Sequence, residues 1–314
     1  MQKRMSKHLL IMVTLCGCLC TNAQDSPLTL WCYDIHAVNP AMAGSANQLR
    51  LNTFYRNQWL KADAGFQYYG ASADMPVAKN MGAGIGFSND HAAAFAKPGI
   101  YGSYSYTVKT GLQSELRLGI RAGVIQKYLS ASDLTFEQTE FVANRSSKIK
   151  LDAGIGAGLS VKNFFAGISF DHLTRPRQEI SGEIESRTSI KMTLNAGFVH
   201  KIRTANRKKT AEIMPNLIFQ QHGRQQNLQF GVIGKVNWML MGIACRKNIG
   251  SDAPWSSIIL GYKALDFRIA YSYDFDLNKK TVKMGNAHEI SITKLIAPNR
   301  KEKHKSIDCP SFLR

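Results

Sequence analysis

The stretch LDAGIGAGLSV, residues 151–161, alternates at every position between an apolar residue and glycine, serine or aspartate. Successive side chains of a β-strand point to opposite faces of the sheet, so this period of two predicts a strand with one apolar face and one small or polar face. The same alternation recurs at residues 116–124 (LRLGIRAGV) and 267–275 (FRIAYSYDF). The chain is therefore predicted to consist of strands whose two faces meet different environments.

Three further observations favour a barrel in lipid over a soluble β-sandwich, which alternates in the same way. The alternating segments run about nine to thirteen residues, the span of a tilted transmembrane strand. The amino-terminal residues have the character of an export leader. Aromatic residues stand near the strand ends, as in the girdles at membrane interfaces; they are Trp59, Tyr68, Tyr106, Trp238, Trp255 and Tyr273.

The predicted fold is all-β, a closed up-and-down transmembrane antiparallel β-barrel of about 14 strands. The predicted strands are 50–59, 64–74, 81–89, 98–108, 114–127, 149–161, 164–171, 187–201, 209–220, 226–237, 238–246, 255–263, 266–275 and 286–295. An even number of strands places both ends of the sheet at the periplasmic rim. This topology puts the connections 90–97, 128–148, 172–186, 247–254 and 276–285 outside, and Lys109–Gln113, Lys162-Asn163 and Ala264-Leu265 in the periplasm.

Residues 1–23 are predicted to be a signal peptide, with a basic start, an apolar run from Leu9 to Leu15 and cleavage after Ala23. The alternative is a lipoprotein leader that would leave an acylated Cys18. No stretch after the leader reaches 18 apolar residues, so no membrane-spanning helix is predicted. The remaining parts are a periplasmic lead-in at 24–49, an outer-membrane barrel at 50–297 and a basic periplasmic tail at 298–314.

The chain is strongly basic, with a formal net charge of +18. The leader holds three of the 40 basic residues and none of the 22 acidic ones, so its removal leaves +15. The excess charge lies in the predicted loops and tail. It is interpreted as solvation or attraction to anionic outer-membrane lipid rather than as nucleic-acid binding.

Three of the six cysteines lie in the leader, and Cys32, Cys245 and Cys309 remain after it. Their odd number and wide spacing match neither a disulfide framework nor a zinc site. They are predicted to be unpaired, with a bridge between Cys32 and Cys309 as the alternative.

The sequence contains no convincing set of positioned acids, bases or metal ligands, so no catalysis, cofactor or metal site is predicted. The glycine runs at 82–86 and 154–158 superficially resemble phosphate loops. Their period of two instead puts the glycines on one face of a strand, where small residues fill a crowded barrel interior. The inward charges predicted to form a paired polar interior are Arg56, Arg117, Arg121, Asp152, Arg268 and Asp274.

An ordered series of short motifs is similar to the PorP/SprF family of outer-membrane proteins of type IX secretion and gliding. It begins with AQD at 23–25, continues through NPAMAGS at 39–45 and YRNQW at 55–59, and ends with CPSF at 309–312. The resemblance covers nearly the whole mature chain, although WCY at 31–33 stands where relatives usually carry a Ser-Gln-aromatic segment. The motif positions singled out are Asn39, Pro40, Gly44, Tyr55, Arg56, Gln58, Trp59, Asp74, Pro76, Asn89, Asp90, His172, Tyr273, Asp274, His288, Glu289, Cys309, Pro310 and Phe312.

The resemblance implies a non-enzymatic accessory that helps export, capture or anchor partner proteins at the cell surface. The implied partners are adhesin-like cargo with a type IX C-terminal domain and components of the secretion machinery. Loops 128–148 and 172–186 are the expected cargo-facing surfaces, and the tail and the turn 201–209 would face the periplasm. The competing interpretation is an outer-membrane pore or transporter for small solutes.

Overall fold

The computed structural model describes residues 27–60, 65–130, 145–177, 187–203, 210–249, 254–276 and 285–297, which form fourteen antiparallel strands in a closed barrel. The strands are β1 (Leu49–Gln58), β2 (Phe66–Ala78), β3 (Met81–Ala92), β4 (Phe95–Gly111), β5 (Ser114–Ile125), β6 (Lys150–Val161), β7 (Phe164–Asp171), β8 (Lys191–Phe198, continued as His200–Arg203), β9 (Thr210–His222), β10 (Gln225–Val236), β11 (Met239–Ile249), β12 (Trp255–Ala264), β13 (Phe267–Asp276) and β14 (Ala287–Ile296).

Strand β1 closes the sheet because it pairs with β2 on one side and with β14 on the other. Leu49 lies opposite Ile296 and Gln58 opposite Ala287, so the first and last strands are paired along the whole length of β1. The predicted closed antiparallel barrel of fourteen strands is confirmed.

The two faces of the sheet are inverted relative to a soluble protein. In β5, Leu118 and Ile120 are 48% and 60% exposed on the outside, whereas the neighbouring Arg117 is only 4% exposed on the inside. An apolar exterior suits hydrocarbon, and alternation along each strand leaves polar groups for the interior. The predicted apolar outer face is therefore confirmed, while the inner face is mixed, since it also carries buried apolar side chains such as Met214, Ile233 and Ile259.

The connections divide the barrel into two distinct rims. Tight turns at 79–80, 112–113, 162–163, 237–238 and 265–266 lie at the end where β1 begins, here called the turn rim. The opposite end, the loop rim, carries the longer connections 59–65, 126–149, 172–190, 250–254 and 277–286. This division agrees with the predicted assignment of connections to two sides, except that the expected loop 90–97 is wrong: β3 and β4 stay paired up to a two-residue turn at 93–94, and β9 and β10 join at the same rim through a second such turn at 223–224.

Two details differ from the sequence prediction. Tyr68 is not part of an outer aromatic girdle, since its ring stacks inside the barrel on Phe54 with centroids 5.0 Å apart. The connection after β5 is not purely a loop, because Tyr128–Leu129 pairs with Arg145–Ser146 as a short extension of the wall. None of the helices among the described residues is long and apolar enough to cross a membrane.

Residues 27–46, here called the plug segment, lie inside the barrel. The segment folds into a 3-10 turn at Trp31–Tyr33, one α-helical turn at Ile35–Val38 and a second 3-10 turn at Pro40–Met42. Residues 29–36 and 39–46 are buried. The extended periplasmic lead-in expected at 24–49 is thus replaced, over its described part, by a folded segment that fills the lumen. The physical reason is that Trp31, Tyr33, Ile35 and Met42 bury their apolar side chains in one cluster with inward apolar residues of the wall, among them Phe165 and Ile233.

Several predicted features fall outside the described residues. They are the signal peptide 1–23 with its alternative acylation site Cys18, the tail 298–314 with Cys309, Pro310 and Phe312, and parts of the connections 128–148, 172–186 and 201–209. Of the remaining cysteines, Cys32 is a buried free thiol in the plug segment and Cys245 is an exposed free thiol on the outer wall.

Candidate functional site: the plugged lumen

The turns of the plug segment are specified locally. The Asp34 carboxylate accepts a hydrogen bond from the Ala37 N–H at 3.4 Å and so caps the α-helical turn. Asn39 caps the next turn in the same way, accepting from the Ala41 N–H at 3.0 Å, and Pro40 occupies the first helical position, where its missing N–H costs nothing. The motif NPA therefore encodes a tight turn rather than an extended strand.

At the loop rim, a buried ion cluster on the wall holds the start of the plug segment. Arg56 Nη1 lies 2.6 Å from Asp274 Oδ2 and 2.9 Å from Glu289 Oε2. The Glu289 carboxylate accepts hydrogen bonds from the backbone N–H groups of Thr29 at 2.8 Å and Leu30 at 2.9 Å. The Thr29 hydroxyl donates to Asp274 at 2.6 Å. One arginine thus aligns two acids from adjacent strands, and those acids bind the plug segment.

A second arginine and a glutamine complete this end. Arg246 donates from Nη2 to Asp274 at 3.3 Å and from Nη1 to the Pro27 carbonyl at 2.9 Å. Gln229 donates to the Thr29 carbonyl at 3.0 Å. The cluster balances two arginines against one aspartate and one glutamate, which is the condition for keeping charges buried.

The middle of the plug segment is bound through its own backbone carbonyls. Arg121 donates to the His36 carbonyl at 2.6 Å while it also pairs with Asp171 at 3.0 Å. Arg268 donates to the Tyr33 carbonyl at 3.3 Å, and its guanidinium lies 4.5 Å from the centroid of the Tyr33 ring. Inward arginines therefore satisfy carbonyls that a short helix leaves without partners.

Asn39 joins the plug segment to the opposite side of the wall. Its side-chain amide donates to the carbonyls of Ala157 at 3.0 Å and Ile168 at 3.2 Å, on β6 and β7. At the neighbouring Gly167, a Cβ atom would lie 2.8 Å from Asn39 Nδ2, so a side chain there would displace the asparagine. The glycine and the asparagine fit each other.

The inward glycines make room for the plug segment. A Cβ atom at Gly84 would lie 2.6 Å from His36 Nε2. One at Gly156 would collide with Asn39, and one at Gly119 with the backbone of Ala41. The prediction that these glycines lie on one inner face is confirmed, but what crowds that face is the chain's own amino-terminal segment.

Near the turn rim, Asp74 fixes the end of the plug segment. Its carboxylate accepts the Gly44 N–H at 2.7 Å and pairs with Arg50, whose Nε lies 2.8 Å from Oδ1. Arg50 also donates to the Met42 carbonyl at 3.4 Å. Gly44 has φ +70°, and a Cβ atom there would lie 2.9 Å from the Met75 carbonyl oxygen, so glycine is required on both grounds.

The structure brings many of the predicted motif positions together around the plug segment. Gln58 supports the ion cluster by accepting from Arg56 Nη2 at 3.2 Å. The motif positions within the plug segment or on the wall against it are Asn39, Pro40, Gly44, Arg56, Gln58, Asp74, Asp274 and Glu289. The sequence motifs include neither Arg50 nor Arg246. The alternation of residues along β1 and β11 could have shown that both side chains point into the barrel.

Other motif positions lie apart from the plug segment. Tyr273 and His288 form an aromatic pair on the outer wall with centroids 5.2 Å apart, and Tyr55 is exposed there. Asn89 donates to the Tyr69 hydroxyl at 2.8 Å on the same outer wall. Trp59 follows the end of β1 with φ +63°, and Pro76 stands at a register shift in β2.

The last two motif positions line a polar cavity of about 100 Å³ above the plug segment, towards the loop rim. Asp90 lies on one side, and on the other His172 Nδ1 contacts Asp152 Oδ2 at 2.6 Å. Ala37 of the plug segment lies at the inner end of the cavity. Within the described ranges no group of three or more His, Cys, Asp or Glu side chains could hold a metal ion. The arrangement binds a polypeptide segment through hydrogen bonds to wall side chains and through apolar packing.

Comparison with solved structures finds outer-membrane barrels. The chain is similar to a FadL homologue of Pseudomonas aeruginosa (12% identity, 82% of this chain and 92% of that one, TM-score 0.44) and to Omp33 of Acinetobacter baumannii (7%, 81% and 100%, TM-score 0.42). It is also similar to the KdgM porin (8%, 78% and 98%, TM-score 0.36). No curated protein matches the chain.

The family described as "Type IX secretion system membrane protein PorP/SprF" matches residues 20–293, which is most of the sequence. The match includes the plug segment and every strand except the last residues of β14. This chain therefore belongs to the PorP/SprF family of type IX secretion system membrane proteins and is a multi-strand outer-membrane β-barrel.

Proposed function

We propose that this protein is a closed, non-enzymatic accessory that captures or anchors secreted partner proteins at the cell surface. The proposal is supported by the state of the lumen: the chain's own residues 27–46 occupy it, and hydrogen bonds to ion-paired side chains of the wall hold them there. A lumen filled in this way favours a binding scaffold over a route for solutes. The partners would be adhesin-like proteins with a type IX C-terminal domain, as in secretion and gliding.

The mechanism would be binding by loops on a rigid wall. The plug segment is bonded to many strands of the barrel, so it stiffens the wall that carries the connections of the loop rim. Loops on a rigid scaffold commonly carry recognition. Of the connections there, 126–149 and 172–190 are the longest and are the proposed contact surfaces for cargo.

Shortening the connection at 178–186 tests this proposal and leaves the buried His172 in place. We expect less of a secreted reporter that carries a type IX C-terminal domain to be retained at the cell surface, while the barrel itself stays in the outer membrane. The matched control shortens 204–209, a connection at the turn rim. Equal retention of the reporter in both variants would show that this loop is not the contact.

A further inference from the structure

The plug segment has a direction, which its partners along the strands define. Its start is bound by Arg246, three residues before the end of β11, and by Glu289, two residues after the start of β14. Both positions lie close to the loop rim. Pro27 therefore sits in the part of the lumen that opens between the long connections.

The other end of the plug segment lies at the opposite rim. Ala43 accepts a hydrogen bond from the Ser105 hydroxyl at 2.7 Å, and a Cβ atom at Gly82 would collide with the Ala43 carbonyl. Gly82 is the second residue of β3, which starts at a tight turn. The chain then turns at Asn47, with φ +57°, and enters β1 from the turn rim.

The segment thus crosses the barrel once, from the loop rim to the turn rim. Burial follows the same direction: Pro27 and Leu28 are half-buried, residues 29–36 are buried, and Gln48 is half-buried again at the far end. Both ends of the β-sheet lie at the turn rim, but the polypeptide reaches that rim only after passing through the lumen.

In outer-membrane barrels the short turns face the periplasm and the long connections face outward. We propose that Pro27, where the described plug segment begins, lies at the outer face of the membrane, at the loop rim. It lies on the same side of the barrel as the polar cavity. The proposal rests on the direction of the plug segment and not on cargo capture.

The experiment compares two single cysteines at opposite ends of the plug segment, Pro27→Cys and Gln48→Cys. Both positions are half-buried, so they are matched in exposure and differ in the rim they lie next to. The background replaces Cys32, Cys245 and Cys309 with alanine. Intact cells are treated with a membrane-impermeant maleimide, and the same labelling is repeated after the outer membrane is permeabilised. Leu112→Cys, fully exposed in a tight turn, reports on leakage of the reagent into the periplasm.

We expect Pro27→Cys to be labelled as fully in intact cells as in permeabilised ones, and Gln48→Cys to be labelled only after permeabilisation. The proposal would be overturned if Pro27→Cys were labelled only after permeabilisation. It would also be overturned if intact cells gave labelling of Gln48→Cys but no labelling of the leakage control Leu112→Cys. Heat-modifiable migration on gels shows whether each variant is folded, and Leu28→Cys replaces Pro27→Cys if that variant is not.

Discussion

Arg56 connects three parts of the molecule. It lies on β1, pairs with acids on β13 and β14, and through those acids holds the backbone of Thr29. Two of these strands meet at the seam where the barrel closes. A single buried side chain therefore couples closure of the sheet to seating of the plug segment.

Replacing Arg56 with methionine leaves Asp274 and Glu289 buried with only Arg246 to balance them. Loss of one partner of a buried ion pair costs about 3–5 kcal/mol, so we expect the free energy of unfolding to fall by about that amount. Denaturant unfolding of the protein in lipid vesicles measures this change. The exposed Lys148 supplies the control, since Lys148→Met should change stability by about 0.5 kcal/mol or less. Similar losses in both variants would contradict the assigned role of the cluster.

Gly84 and Gly102 are neighbouring wall glycines that face opposite sides. A Cβ atom at Gly84 would meet the His36 ring at 2.6 Å, whereas one at Gly102 would meet only the Ala122 carbonyl oxygen at 4.0 Å. Overpacking costs about 1–3 kcal/mol, so Gly84→Ala should destabilise the folded protein by that amount and Gly102→Ala should not. Thermal unfolding of the two variants tests this pair. If Gly84→Ala were as stable as Gly102→Ala, the plug segment would not press against β3.

At the scale of elements, the plug segment is the part that decides whether the lumen is open. Its turns are too short to be stable alone, since isolated helices of this length are marginal in water. The inward arginines, acids and glycines of the wall, together with its buried apolar residues, supply the contacts that keep the segment folded. The wall and the segment therefore form one unit.

Removal of residues 28–46 is expected to open the lumen, so that a barrel that does not conduct ions becomes one that does. Single-channel recording on purified protein in planar bilayers should show little current for the complete chain and stable openings for the shortened one. A deletion of the tail 298–314, similar in length, is the control and should leave the current unchanged. Equal conductance of the complete and the plug-deleted proteins would instead support the small-solute pore.

At the scale of the whole molecule, the same substitution has different effects on stability at a position that faces lipid and at one that faces water. Ile243 is 66% exposed in the middle of β11, and Leu112 is fully exposed in a tight turn. Ile243→Lys should lower the free energy of unfolding by about 2–4 kcal/mol, because a charge near the bilayer midplane loses its hydration. Leu112→Lys should be tolerated. Folding of both variants into vesicles, followed by denaturant titration, makes the comparison, and equal stability would argue against lipid around β11.

Alternation along the chain was sufficient to predict the fourteen strands, because in a barrel every strand separates the same two environments and so repeats the same local pattern. The predicted bounds agree with β1, β6 and β7 to within one residue. Tyr68 was wrongly assigned to the outer girdle because aromatic character near a strand end does not by itself tell which face the ring occupies.

The sequence by itself thus determined the barrel, its apolar exterior and the inner face that carries the glycines and the charged residues. Only the tertiary structure decided where residues 27–46 lie and why the inward faces carry glycines and arginines in those places. The physical reason is that strand patterning is local, whereas Asn39 and Thr29 find their partners more than a hundred residues away, and such pairings exist only once the sheet has closed around them.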